Sequence, residues 1–145
     1  MSPTEPLILS TRDARGVVTL TLNRQQAFNA LSEDMLAALQ QAIEAIAQDD
    51  SARVLVIAAA GRAFCAGHDL KEMRAAPSPA YYQTLFNHCS QVMLALQRLR
   101  VPVIARVHGI ATAAGCQLVA MCDLAVAASD ARFAVSGVNL GLFCA

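Results

Sequence analysis

Two short stretches, "AGRAFCAGHDL" at 60–70 and "HGIATAAGCQL" at 108–118, combine small residues with a few polar side chains. Small side chains let backbone N–H groups come close to another molecule. The start of a helix leaves such groups unpaired, with a partial positive charge behind them. Two loops of this kind could aim two N–H donors at one oxygen that is acquiring negative charge. The same composition also serves close helix packing, so each stretch taken alone has two uses. Neither contains the GxGxxG or GxxxxGK[ST] spacing of a dinucleotide or nucleoside triphosphate loop.

The other reactive side chains here read blandly. Cys65 and Cys116 lie in the loops, but no base is paired with them in the sequence. The five cysteines (Cys65, Cys89, Cys116, Cys122, Cys144) show no CxxC or Cys/His ligand spacing, so they are expected to be small buried hydrophobes and not metal ligands. His68 has the right chemistry for an acid or base at neutral pH. With no partner visible it reads as a binding or surface residue. His108 reads as a strand-end residue, and Asp69 as the cap of a helix beginning "LKEM".

Both loops need a strand before them and a helix after them. "RVLVIAA" at 53–59 and "VPVIARV" at 101–107 are short, β-branched and bounded by polar or Gly signals, which predicts buried strands. Before them, "PLILSTRDARGVVTLTLNR" alternates on both sides of "RDARG", as two strands joined by a tight turn would. Ser32, followed by Glu33 and Asp34, predicts a helix start, with Met35, Leu36, Leu39, Ile43 and Ile46 on its apolar face. Ser78 and Pro79 predict a second helix reaching about Arg98, with Leu85, Cys89, Val92, Leu96 and Leu99 on one side. "DLAVAAS" and "RFAVS" add two short strands. Strands alternating with helices imply an α/β protein with mostly buried strands.

A chain of 145 residues fits one domain, here one partial domain over 1–145. It is 56% hydrophobic and 15% charged, an apolar excess that predicts surface to be covered by a partner copy or further chain. His108, Gln117 and Asp123 interrupt its most apolar third, which argues against a membrane span. Eleven basic and eleven acidic residues without blocks give no electrostatic footprint for nucleic acid. The start "MSPTEPLILS" lacks the basic and long apolar regions of a signal peptide, so a cytoplasmic location is expected. The apolar ending "GVNLGLFCA" suggests truncation.

"LNRQQAFNAL", "GRAFCAGHDLKEM", "VPVIARVHGIATAAGCQLVAMCDLAVAASDARFAV" and "GVNLGL" resemble, in order and spacing, the crotonase superfamily of enoyl-CoA hydratases and isomerases. The resemblance implies a spiral of repeated ββα units, cut here before a C-terminal helical trimerisation region. It also implies a homotrimer or hexamer, acyl-CoA thioester substrates, and neither a metal nor a cofactor. Carried over, the thioester-carbonyl donors fall on the backbone N–H groups of Ala66 and Ala114. Phe64, Cys65, Ala66, His68 and Leu70 resemble the segment that cradles CoA. Arg24 and Ala27 to Ala30 resemble the segment beside its pantetheine and phosphates, although Arg24 also fits a solvated role.

One part of the pattern is absent. The hydratases use two glutamates, one to activate water and one to protonate the α-carbon. At the matching positions this chain has Gln117 and Gly137. An amide cannot exchange a proton near neutral pH, so Gln117 is left to orient a water or acyl group, or simply to close the loop. Three functions follow: an acyl-CoA enzyme relying on oxyanion stabilisation, such as a thioesterase, decarboxylase or weak hydratase; a catalytically diminished acyl-CoA-binding protein; or an oligomeric regulatory subunit.

Overall fold

The computed structural model describes residues 5–75 and 77–141. Cys144 and the other residues of 142–145, the last part of the apolar ending, lie outside them. The predicted hairpin is formed by β1 (Ile8–Arg12) and β2 (Val17–Leu22), paired antiparallel from Ile8 opposite Leu22 to Arg12 opposite Val18. Its turn closes because the Asp13 carboxylate accepts from the Arg15 and Val17 N–H groups at 2.9 and 3.0 Å, while Gly16 takes φ 83°. Strand β2 buries Val18, Leu20 and Leu22 and leaves the residues between them half-buried, the alternation expected of a strand with one covered face.

From β2 the sheet continues in parallel through β3 (Val54–Ala59), β4 (Val103–Val107) and β6 (Leu124–Ala127), giving the order β1-β2-β3-β4-β6. A second sheet pairs β5 (Ile110–Thr112) with β7 (Arg132–Ala134), also parallel. Strand β5 lies inside what the sequence reads as a loop. It is a piece of three residues after Gly109, and its partner is more than twenty residues away.

Helix α1 (Glu33–Ala47) starts where Ser32 Oγ accepts from Met35 N–H at 3.2 Å. It buries Met35, Leu36, Leu39, Ile43 and Ile46, the predicted face. Helix α3 (Pro79–Gln97) is capped by Ser78 and packs on α1. Each fully buried leucine or isoleucine on these faces contributes about 1.5–3 kcal/mol of transfer free energy. Between them lies the short α2 (Leu70–Ala75), and after β5 comes α4 (Ala114–Ala120). Strands β6 and β7 are exposed along their whole length, against the expectation of buried strands. They lie at sheet edges, and no element among the described residues covers them. No described helix is long and apolar enough to cross a membrane.

Because β2, β3 and β4 are parallel neighbours, the segments leaving their carboxyl ends gather on one edge of the sheet. They are residues 23–32, 60–69 and 108–113. In open α/β sheets that edge is where ligands bind.

Candidate functional site

The two small-residue loops are stitched together. Phe64 and Cys65 N–H both donate to the Ile110 carbonyl at 2.9 and 3.2 Å, and Thr112 N–H donates back to the Cys65 carbonyl at 3.0 Å. The start of α4 then packs straight onto the first loop. A Cβ on Gly115 would overlap the Cys65 carbonyl oxygen and lie 2.8 Å from Cys65 Cβ. Gly67, at φ 88°, has the same closeness from the other side: a Cβ there would lie 2.9 Å from Ala113 Cβ and 3.2 Å from Ala114 N. Glycine is therefore required at both points, and the backbone at 67 abuts the first N–H of α4.

The N–H groups divide into spent and open donors. Ala66, expected to face the thioester carbonyl, donates to the Phe28 carbonyl at 3.0 Å, with Phe28 itself in the left-handed region at φ 52°. The N–H groups of His68 and Ala114 donate to no described residue. Ala114 heads α4, where the first-turn donors have no intrahelical acceptor. Its neighbour Ala113 takes φ 51° and ψ −126°, a conformation in which a side chain is strained.

Beneath the loops sits a polar support that sequence reasoning saw only in part. Arg24 is paired with Asp69 at 2.6 Å, both side chains largely enclosed, and also reaches the Ala30 carbonyl at 3.4 Å. Its guanidinium is thus engaged by the protein, at the position where the resemblance suggests a phosphate contact. Asp69 Oδ1 accepts from Lys71 N–H at 2.9 Å, so it caps α2 as expected. Burial pushes its carboxyl up, but Arg24 and the Lys71 and Glu72 N–H groups outweigh burial and hold it below 3.8. Asn29, not singled out from the sequence, is fully buried at φ 54° and donates to the Ala60 and Ala63 carbonyls at 2.8 and 2.9 Å. An asparagine beside small residues is the available signal, since Asn tolerates the left-handed region.

The remaining predicted residues spread between interior and rim. Phe64 and Cys65 are fully buried, and burial pushes the Cys65 thiol up to about 12, a structural and unreactive state. Ala27 sits in the 3-10 turn Gln25–Ala27, Leu70 is exposed at the head of α2, and Phe28 is exposed with the Arg62 guanidinium 4.6 Å above its ring. His108 Nε2 lies 2.6 Å from the Gly61 carbonyl. His68 is half-buried, its ring edge-on to Phe86 with centroids 5.2 Å apart. Burial pulls its pKa below 6.5, opposed by the Leu31 carbonyl, and Nδ1 is enclosed without a hydrogen bond of normal geometry.

Gln117 lies on α4, its N–H on the Ala113 carbonyl at 3.1 Å, and Gly137 is buried in the 3-10 turn Ser136–Leu140. That turn is tied to the second loop by Thr112 Oγ1 and Ser136 Oγ at 2.6 Å and by Ala113 N–H on the Ala134 carbonyl at 2.8 Å.

A parallel sheet whose carboxyl edge carries two interlocked small-residue loops defines an α/β protein with a backbone-lined site, and comparison with known proteins gives its family. Residues 12–145 match the profile of the enoyl-CoA hydratase/isomerase family, and the chain belongs to it. It is 50% identical over 129 residues to the Xenopus laevis enoyl-CoA hydratase domain-containing protein 3, covering 89% of this chain and 44% of that protein. To the Homo sapiens protein of the same name it is 45% identical over 140 residues, covering 97% and 46%. Among solved structures it is 74% identical to an enoyl-CoA hydratase from Mycobacterium smegmatis, with a TM-score of 0.95, covering 97% of this chain and 55% of that one. The fold is the crotonase fold, as the resemblance implied, and the chain spans about half the length of the curated relatives it matches. One expectation is overturned: the frog and human relatives are named mitochondrial, so the cytoplasmic location expected from the N-terminal residues does not stand.

Proposed function

We propose that the protein binds acyl-CoA thioesters and stabilises a thioester enolate between two backbone N–H groups, those of His68 and Ala114. The observation that carries this reading is the pair of open donors on interlocked loops, where Gly67 abuts Ala114 N. In it His68 replaces Ala66 as the first donor, because the Ala66 N–H is spent on Phe28. Preorganised donors of this kind act where charge develops, and losing one typically costs about 3 kcal/mol in barrier. The CoA segment is then formed by Ala27, Phe64, Cys65, Ala66, His68 and Leu70, with Arg24 holding Asp69 and thereby the loop. No metal or cofactor takes part in this reading, and CoA enters as part of the substrate. For the whole protein it includes assembly as a homotrimer or hexamer, supported by the apolar side chains exposed on β6 and β7.

With Gln117 and Gly137 where the family's two glutamates stand, hydration of crotonyl-CoA is expected at least about a hundredfold slower than in a glutamate-bearing relative. The same substitution supports a second reading, an acyl-CoA-binding protein with little catalysis. Calorimetric titration with an acyl-CoA, its thioether analogue and free CoA tests the shared core of both. The thioester binds tightest if the two donors hold its carbonyl, and equal affinities for thioester and thioether would remove the oxyanion assignment.

A further inference from the structure

Where both carboxylates are missing, a proton-transfer group has to come from elsewhere if the enolate is to form at all. The reactive side chains of the two loops are mostly committed. Cys65 is buried with its thiol pushed up to about 12, Asp69 is paired with Arg24, and His108 Nε2 is on the Gly61 carbonyl. His68 differs. Its Nδ1 is enclosed without a hydrogen bond of normal geometry, the Leu31 carbonyl is the main-chain group that acts on the ring, and no side chain among the described residues is hydrogen-bonded to it. The ring is held edge-on by Phe86, on the same residue whose main-chain N–H is one of the open donors.

Resting on the oxyanion reading above, we infer that His68 is the base of this site, with Nε2 taking the proton from the α-carbon of a bound acyl-CoA. In that step the C–H bond breaks and its electron pair forms the carbon–carbon double bond of the enolate. The carbonyl π pair moves onto the thioester oxygen, which faces the His68 and Ala114 N–H groups. Return of the proton from the imidazolium to the α-carbon restores the thioester, and in D2O it returns as a deuteron. The chemistry is therefore α-proton exchange, and with a β,γ-unsaturated acyl-CoA it becomes double-bond isomerisation when the imidazolium returns the proton to the γ-carbon of the extended enolate instead. Hydration also needs a second group to activate water.

The surroundings suit a neutral imidazole. Burial lowers the His68 pKa, so the basic form predominates at neutral pH. Several titratable groups on the packed elements are engaged elsewhere: Asp69 with Arg24, Glu72 with the Glu33 N–H on α1, Tyr81 of α3 with the Glu33 carboxylate, and the Tyr82 hydroxyl of α3 with the Met73 carbonyl. Lys71 completes the charged groups at the head of α2.

The test is deuterium incorporation at the α-carbon of butyryl-CoA in D2O, followed by NMR, with the intact protein. His68→Gln keeps the main-chain donor and a polar side chain but cannot carry the proton. Exchange is expected to fall at least about a hundredfold, while the calorimetric preference for thioester over thioether persists. In the unmodified protein kcat/KM for exchange should rise with pH and level off above a midpoint below 6.5, and the variant should lose that profile. Free imidazole should restore exchange to His68→Ala, a rescue that a structural role would not give. Unchanged exchange in His68→Gln, or no exchange by the unmodified protein despite a retained thioester preference, overturns the assignment. Absence of that preference in the unmodified protein overturns the oxyanion reading and this inference together.

Discussion

The molecule has two regions of similar composition and opposite environment. Along β2, β3 and β4 the inward side chains are closed off completely, with Leu20 at 1% exposure, Leu55 at 0% and Val103 at 1%. Along β6 and the turn after β7 they stand in the open, Leu124 at 62%, Val126 at 64% and Val138 at 62%. The hydrophobic effect rewards only area that is removed from water, so the first region stabilises itself and the second contributes little to the fold of the described residues. A contiguous exposed apolar strand is a mark of an interaction surface. The candidate site lies at the seam, with its first loop on the closed region and its second loop tied to β7.

The largest test of the contrast is a pair of truncations. Phe64→Ala, in the closed region, should cost about 3–5 kcal/mol, and Val126→Ala on β6 less than about 0.5 kcal/mol. Chemical denaturation of both variants measures this. A Val126 loss comparable with that of Phe64 would show β6 to be covered and would break the comparison.

Asp69→Asn comes next, at about 3 kcal/mol near neutral pH, because it leaves Arg24 enclosed without its counter-charge. The sign with pH follows from the depressed carboxyl. Stability from a group whose folded pKa lies below the unfolded value is complete above about 3.9 and is lost as pH falls through the folded value. The gap between Asp69→Asn and the unmodified protein should therefore close in acid. A gap that stays constant from pH 7 down to about pH 2 would assign the loss to packing and not to charge.

The closed region was the legible one. The period of α1, the capping serines at 32 and 78 and the β-branched runs of β3 and β4 are local signals, and local physics decides them. The exposed strands read as buried because an apolar run carries no mark of where its cover lies. In the site, the loops themselves were legible from their small residues. The Arg24–Asp69 pair was not, since 45 residues separate its members. The commitment of the Ala66 N–H was equally hidden, because it depends on the Phe28 carbonyl being turned by a left-handed backbone. The two glycines at the seam were visible as residues, but the groups they make room for were not.

Gly115→Ala sharpens the seam directly. The added methyl meets main-chain atoms of Cys65, which cannot swing away as a side chain would, so overpacking should cost about 1–3 kcal/mol. It should also separate the two loops enough to weaken the preference for thioester over thioether. Calorimetry on the variant checks the second effect. A full preference retained alongside the stability loss would show that the donors do not depend on this contact.

Ala113→Gly carries the smallest expected change, and its value lies in opposing terms. At φ 51° and ψ −126° the alanine stores strain of about 1–3 kcal/mol, which glycine would release. Against that, glycine gives the unfolded chain freedom worth about 0.4–1 kcal/mol. Removing the half-buried methyl next to Gly67 forfeits up to about 0.8 kcal/mol more. Taken at mid-range the terms leave a net gain of about 1 kcal/mol, so the unfolding free energy from chemical denaturation should rise by about that amount. The Ala114 N–H is untouched, and the thioester preference should persist unchanged. A loss above about 2 kcal/mol would mean that the methyl contributes more packing across the seam than its area implies, and that the second loop belongs with the self-stabilised region after all.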